Sequence, residues 1–252
     1  QLAARAASVQ EVTVPASARI GFVQVDPTNS GVVFTNLLAE HRHLTNQILL
    51  NGSGVAAGDV DGDGWCDLYF CSLDGPNALF RNRGNFTFEN VTAQAGVACA
   101  ELDATGAAFA DLDGDGDLDL VVNSIGGGTH CFFNDGQGRF SEAGKNPGLN
   151  APWGGTSLAF GDVDGDGDLD LYVANYRTVT IRDQPNTRFS FRVVDGKPQV
   201  TAINGRPITA PDLVNRFTFR IALGEGIGNF GYDENGEVDA LCLNDGAGRF
   251  TP

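Results

Sequence analysis

The chain has 252 residues, enough to bury a good core in one or two domains. Asp and Glu number 32 against 16 Lys and Arg, a formal charge of −16 that argues against nucleic acid as a partner. Glycine, at 34 residues, is about twice its usual share, and with 42% hydrophobic residues this points to a turn-rich all-β protein rather than to disorder.

Residues 1–19 read as a loosely held leader. There is no Met, so the chain is expected to start after processing or as an excised piece. Residues 1–8 hold neither the apolar core of a signal peptide nor a membrane span. A strand is expected at Ile20–Val25, followed by an irregular stretch to Leu50. His41-Arg42-His43 lies in that stretch and reads as a surface pair, because no third ligand is near.

The next feature recurs three times, at steps of about fifty residues, which makes the chain a repeat array. An acidic loop runs from Asp59 to Asp67, from Asp111 to Asp119 and from Asp162 to Asp170. Each copy has Asp at positions 1, 3, 5 and 9: Asp59, Asp61, Asp63 and Asp67; Asp111, Asp113, Asp115 and Asp119; Asp162, Asp164, Asp166 and Asp170. Glycines at positions 4 and 6 permit the positive φ of a tight turn. Alternate residues across such a turn point at one centre. Two like charges at 4 Å cost about 4 kcal/mol at an effective dielectric near 20, and no Lys or Arg lies inside any of the three loops. A hard dication relieves that crowding. Calcium takes six to eight oxygens in irregular geometry, and the position-7 carbonyls of Trp65, Asp117 and Asp168 plus water would complete its shell; magnesium, stricter and slower to shed water, is the weaker candidate. About three calcium ions are expected. The loops are not EF-hands, because position 12 is Phe70, Val122 or Val173 instead of Glu. The apolar runs after position 9 read as buried strands.

Phe109-Ala110-Asp111 and Phe160-Gly161-Asp162 run straight into the acidic loop, and this resembles the FG-GAP repeat of integrin-α-type β-propellers. Residues 52–59, 67–70, 77–82 and 88–97 carry in order Gly-Ser-Gly-Val-Ala-Ala-Gly-Asp, Asp-Leu-Tyr-Phe, Asn-Ala-Leu-Phe-Arg-Asn and Phe-Glu-Asn-Val-Thr-Ala-Gln-Ala-Gly-Val. That order resembles the secreted cartilage acidic protein family, the ASPIC and UnbV group, over roughly residues 20–176 and 237–252. The resemblance implies extracellular calcium-binding propeller blades without a general catalytic activity.

Each repeat divides into four strands, the length of one propeller blade. The first is expected at Val55–Gly58, Leu68–Cys71, Ala78–Arg81 and Phe86–Val91, and the second at Ala107–Ala110, Leu118–Val122, His130–Phe133 and Arg139–Ser141. The third starts at Ser157–Gly161 and Leu169–Ala174, then departs. The third-strand Asn falls at Asn82, Asn134 and Asn244, and the second step is about twice the first. The blade repeats are therefore set at about 54–105, 106–156 and 157–252, with an insertion at about 177–236 in the third. The expected fold is all-β: about three blades of an incomplete ring, with calcium loops between first and second strands. A propeller needs four to eight blades to close, so the chain is expected to be a fragment of a longer one.

The insertion is basic. Residues 177–220 hold Arg177, Arg182, Arg188, Arg192, Lys197, Arg206, Arg216 and Arg220 against three aspartates. One reading is a binding surface for an acidic glycan or an extracellular protein, since insertions at repeat loops form recognition faces. The other is that these arginines pair with the propeller's own carboxylates. Phe189–Val194 and Gln199–Ile203 are expected to form a hairpin. The stretch from Asp233 to Asp239 mimics the acidic loop in part and reads as a turn. The five cysteines show no Cys-x-x-Cys pattern; Cys66 and Cys71 are poor mutual partners, while Cys131 and Cys242 read as small core residues.

The leading functional expectation is a noncatalytic, calcium-stabilised, secreted module for adhesion or for ligand and glycan binding. The alternative is the propeller part of a secreted polysaccharide-active hydrolase or lyase. Against it, no Gly-x-Ser-x-Gly, His-Glu-x-x-His or Walker motif appears.

Overall fold

A computed structural model describes residues 24–252 apart from 145, 147, 196 and 222–229. The leader and most of the expected strand at Ile20–Val25 lie outside these residues. The described part before the first blade holds two short helices, α1 (Pro27–Ser30) and α2 (Glu40–Thr45), and a 3-10 turn at Gln47–Asn51. His41 and His43 lie on α2, where Arg42 bonds the Asp103 carboxylate at 2.7 and 2.8 Å and so ties the helix to the blades.

The protein is all-β. Three four-stranded antiparallel sheets follow one another as blades. Blade 1 is β1 (Val55–Gly58), β2 (Asp67–Phe70), β3 (Ala78–Asn82) and β4 (Phe88–Asn90), and a short helix α3 (Thr92–Ala95) leads out of it. Blade 2 is β5 (Ala104–Ala110), β6 (Asp119–Ser124), β7 (Gly128–Asn134) and β8 (Phe140–Glu142). Blade 3 starts with β9 (Gly155–Gly161) and β10 (Asp170–Asn175).

Between β10 and the rest of blade 3 the chain builds a separate lobe. One sheet holds β11 (Phe189–Val194), β12 (Lys197–Ile203) and β13 (Arg206–Pro207), and a second holds β14 (Phe217–Ile221) and β15 (Phe230–Glu234). The lobe has its own core: Ile181, Ile203 and Leu213 are buried, and Phe189 packs on Phe219, Phe230 and Tyr232. Blade 3 then resumes with β16 (Ala240–Asn244), which pairs β10 in the register Leu171↔Cys242, and β17 (Phe250–Thr251).

Neighbouring blades bury the two faces of a strand in turn. On β6, Leu120 and Val122 point into the core shared with blade 1, beside Val60, Tyr69 and Leu79. Val121 points the other way, into the core shared with blade 3, beside Leu112, Leu171 and Val173. All six residues of β6 are buried, which is why its centre, Leu120–Val122, is apolar on both faces instead of alternating. The innermost strands approach closely, so that a Cβ on Gly54 would come within 3.0 Å of the Gly106 backbone. Cys71, Cys131 and Cys242 lie inside these cores, Cys99 is half-buried and Cys66 exposed; all five are free thiols.

Lateral hydrogen bonds join the blades as well. The Asn134 amide donates to Leu118 O in its own blade at 3.0 Å and to Val60 O of blade 1 at 2.7 Å. Asn244 repeats this, donating to Leu169 O at 3.2 Å and to Leu112 O of blade 2 at 2.8 Å. Asn82 reaches only Cys66 O of its own blade. The cost of leaving a buried carbonyl unpaired is about 1–3 kcal/mol. Asn134→Ala is therefore expected to destabilise the chain by about 2–3 kcal/mol, and Asn82→Ala by about 1 kcal/mol or less. Urea unfolding of the two variants checks this, and equal losses would contradict a lateral role for Asn134.

Candidate metal centres

Each acidic loop joins the first and second strands of its blade. Loop 1 connects β1 to β2, loop 2 connects β5 to β6, and loop 3 connects β9 to β10. The glycines at positions 4 and 6 all have positive φ, from 69° at Gly62 to 100° at Gly167. A Cβ at these positions would meet nothing, so they are glycine for their backbone angle and not for space.

The turn brings the carboxylates together by bonding them to its own N–H groups. At position 1, Asp59 accepts from Asp63 and Gly64 N–H, Asp111 from Gly114 and Gly116, and Asp162 from Gly165 and Gly167. At position 5, the Oδ1 atoms of Asp63, Asp115 and Asp166 accept the N–H of Trp65, Asp117 and Asp168 at 2.9–3.0 Å. The result is three groups whose oxygens lie within 4.8 Å of one another: Asp59, Asp61 and Asp67; Asp111, Asp113 and Asp115; Asp162, Asp164 and Asp170.

Of the position-9 aspartates, Asp67 and Asp170 belong to these groups, while loop 2 gathers Asp115 in place of Asp119. Asp67, Asp119 and Asp170 are at most 1% exposed. One oxygen of each accepts the position-2 N–H, from Val60, Leu112 or Val163, at 2.9–3.0 Å. The other accepts the N–H of Asn82, Asn134 or Asn244 on the third strand at 2.7–2.9 Å. Each of these carboxylates closes its loop and pins it to the blade, leaving its remaining lone pairs for an ion. The sequence marks both residues of this clasp but does not reveal that they are bonded.

The position-7 residues differ among the loops. Trp65 is 51% exposed. The Asp117 carboxylate lies over Gly136, where a Cβ would come within 2.5 Å of its Oδ2, and Asp168 lies over Gly246 in the same way. Both glycines have φ of 73°, and that backbone angle is what calls for glycine at these two turn positions.

Sequence reading missed one cation. Arg81 on β3 reaches into loop 1, with Nε 2.5 Å from Asp61 Oδ2. It lies outside the loop in sequence, and only the pairing of β2 with β3 places it there. Phe133 on β7 and Leu243 on β16 stand at the matching position before the third-strand Asn, so among the described residues loops 2 and 3 have no such partner.

The insertion's arginines also found partners that the sequence did not suggest. Arg177 and Arg216 flank the Glu234 carboxylate, Arg206 pairs Asp212, and Arg220 pairs Asp233. These carboxylates belong to the insertion itself, not to the propeller loops. The Asp233–Asp239 stretch is not the turn expected: Asp233 and Glu234 end β15 and an irregular segment leads on to β16, and Asp239 accepts from Asn175 N–H at 2.7 Å and from the Tyr172 hydroxyl at 2.6 Å.

Burial holds the carboxyls of Asp61, Asp67 and Asp113 above the usual range, and for Asp61 it outweighs the opposing pull of Arg81. Asp119 is pushed up to about 6, chiefly by burial and further by Asp113 and Asp115, against two backbone hydrogen bonds. The donor set is all oxygen, negatively charged, crowded and partly desolvated, which fits a hard dication and not a soft or imidazole-seeking metal. Among the described residues no helix is long and apolar enough to cross a membrane.

Comparison with known proteins agrees with this geometry. The model of the FG-GAP-like repeat matches residues 59–122 and 111–173, each window running from one acidic loop to the strand after the next. Cartilage acidic protein 1 of Mus musculus is 27% identical over 209 residues, covering 80% of this chain and 30% of that protein. The Homo sapiens protein is 27% identical over the same length, and the Xenopus tropicalis protein 27% identical over 161 residues, 61% of this chain. The chain thus carries FG-GAP-like repeats and is a distant homologue of cartilage acidic protein 1, spanning less than a third of the length of these relatives.

A raised carboxyl pKa favours the protonated form in the folded state. Without an ion, Asp119 is more protonated in the folded chain than in the unfolded one between the unfolded Asp value of about 3.9 and its folded value of about 6. Its contribution to stability is then highest at the acid end of that window and falls as pH rises through it. Melting curves in chelator are expected to show this decline, and saturating calcium to flatten or reverse it. A chelated chain that gains stability from pH 4 to 6 would contradict the assignment.

Proposed function

We propose that the chain is a noncatalytic, calcium-stabilised module of a secreted protein, with one calcium ion at each acidic loop. The observation that carries this is the threefold recurrence of a carboxylate cluster within 4.8 Å, two of them without any basic residue in reach of a salt bridge among the described residues. The ligands are Asp59, Asp61, Asp63, Asp67 and the Trp65 carbonyl; Asp111, Asp113, Asp115, Asp119 and the Asp117 carbonyl; Asp162, Asp164, Asp166, Asp170 and the Asp168 carbonyl. Calcium suits a flexible all-oxygen shell better than magnesium does. Its role is structural, since it anchors the turn between two strands and binds only the folded chain. Sites of this kind work in the millimolar range outside cells.

Calorimetry on chelator-stripped protein, with calcium and then magnesium, tests the reading. About three calcium ions bind, the melting temperature rises, and Asp164→Ala removes one of the three. Absence of both heat and a thermal shift, with either ion, would refute it.

The partner reading rests on the insertion. Four of its eight basic side chains are used in its own ion pairs. Arg182, Arg188, Arg192 and Lys197 are exposed and have no carboxylate partner among the described residues. Phe189 of β11 packs into the lobe's core, whereas Phe191 is 46% exposed; beyond the bulge at Ser190–Phe191, Arg192 is exposed and stands opposite Gln199. This face suits the sulfate or carboxylate groups of an acidic glycan. On immobilised heparin the chain is expected to be retained, and Arg192→Ala with Lys197→Ala to elute at lower salt. Flow-through of the parent chain at physiological salt would end this reading.

A further inference from the structure

We propose that Arg81 is a built-in competitor for the first acidic loop, so that the three loops fill in order and loop 1 takes its divalent ion last. This rests on the reading of the loops as ion sites. Three observations meet at loop 1. Arg81 Nε lies 2.5 Å from Asp61 Oδ2, and the two side chains are only 23% and 8% exposed, so water screens the pair poorly. The other end of the same guanidinium is held too, with Nη2 donating to Gln137 O of blade 2 at 2.9 Å. Gly138 follows in that turn, where a Cβ would come 3.2 Å from Nη2. Finally, loop 1 has Trp65 where the others have Asp117 and Asp168. It therefore offers four ligand carboxylates with Arg81 on one of them, whereas loops 2 and 3 offer four with no such arginine among the described residues and carry a fifth Asp over a turn glycine nearby.

Ligand charge count sets the affinity of such sites over several decades. An ion entering loop 1 meets less negative charge and must share Asp61 with a guanidinium fixed from two sides. Loops 2 and 3 present Phe133 and Leu243 in place of Arg81 and face no such competition among the described residues. The same Arg81 links loop 1 to the blade 2 turn, so filling loop 1 loosens Asp61 from the contact that Arg81 makes between the blades.

Trp65 makes loop 1 separately observable, because it sits inside the loop. Trp153 is the second tryptophan; its carbonyl accepts Gly126 N–H beyond the far end of β6, away from the loops. In a Trp153→Phe background, terbium emission sensitised at the tryptophan absorption edge reports loop 1 alone, while calcium calorimetry counts all three sites. We expect two tighter sites and one at least about tenfold weaker, with the sensitised emission following the weaker step. Arg81→Leu, which copies the Leu243 position, moves that emission into the range of the other two sites, and Arg81→Lys, which keeps the charge, leaves it behind them. Melting curves confirm that each variant is folded; if Arg81→Leu is not, the order of filling in the parent chain still decides. Emission that saturates with the first ions in the parent chain, or that Arg81→Leu does not shift, overturns the proposal while leaving three ion sites standing. Absence of any bound ion overturns the site reading and this proposal together.

Discussion

The arrangement depends on one bonded unit, the clasp between the last aspartate of each loop and the asparagine of the third strand. Asp119 closes loop 2 through Leu112 N–H and holds Asn134 by its backbone N–H. The Asn134 side chain then reaches sideways to Val60 O in the preceding loop. Position 2 of a loop is thus bonded on both sides of its peptide chain: its N–H to its own blade's aspartate, its carbonyl to the next blade's asparagine. The apolar side chain at the same position is buried by that neighbour, with Val60 2% and Leu112 1% exposed, whereas Val163 on blade 3 is 56% exposed. Blade order, loop closure and lateral packing share these few atoms. An ion in the loop would act on the same aspartate and so on all three.

The electrostatics give the clasp its direction. A buried carboxylate bonded to two N–H groups is satisfied as an acceptor but still carries a charge in poor solvent. Asp67 and Asp119 stay raised even with two backbone hydrogen bonds each, which shows that burial outweighs those bonds. Neutralisation must come from a proton, a basic side chain or a bound cation. Loop 1 has part of the second in Arg81. Loops 2 and 3 have none inside them, and their fifth aspartates, Asp117 and Asp168, are folded over turn glycines instead of being paired.

Much of this was legible in the sequence because it repeats. The loops, the strand after each loop and the resumption of blade 3 at Ala240–Asn244 all follow from short local patterns. What escaped were contacts between segments that the sequence does not bring together. Arg81 belongs to a strand whose neighbour becomes known only through the pairing of Tyr69 with Leu79. Asn134 was legible as the third-strand Asn of its repeat, and nothing in its surroundings announces that its amide crosses to another blade. The insertion's arginines looked like an unbalanced charge because Asp233 and Glu234 come after the basic stretch; Glu234, its side chain 5% exposed, binds two of them.

The position of the insertion separates two tasks. In an antiparallel blade the loop between strands one and two and the turn between strands three and four share one end, as the contact of Asp168 with Gly246 shows. The insertion joins strands two and three and therefore leaves from the other end. Six residues of β10 lie between them, about 20 Å at the rise of a strand. The lobe is docked at that far end by Gly154 N–H on Glu237 at 2.7 Å, by Gln47 N–H on Asp183 at 2.7 Å and by Asn46 on Thr178 O at 2.8 Å. A ligand on the exposed face of β11 and β12 would not touch the loops, and an ion in the loops would not supply its ligands. One strand that reaches both is β10, whose first residue, Asp170, closes loop 3 and whose last, Asn175, bonds Asp239 at the exit of the lobe. Its partner β16 spans the same distance, from the lobe exit to Asn244 on Asp170, so an effect of the ions on partner binding would pass along this strand pair as order, not as charge.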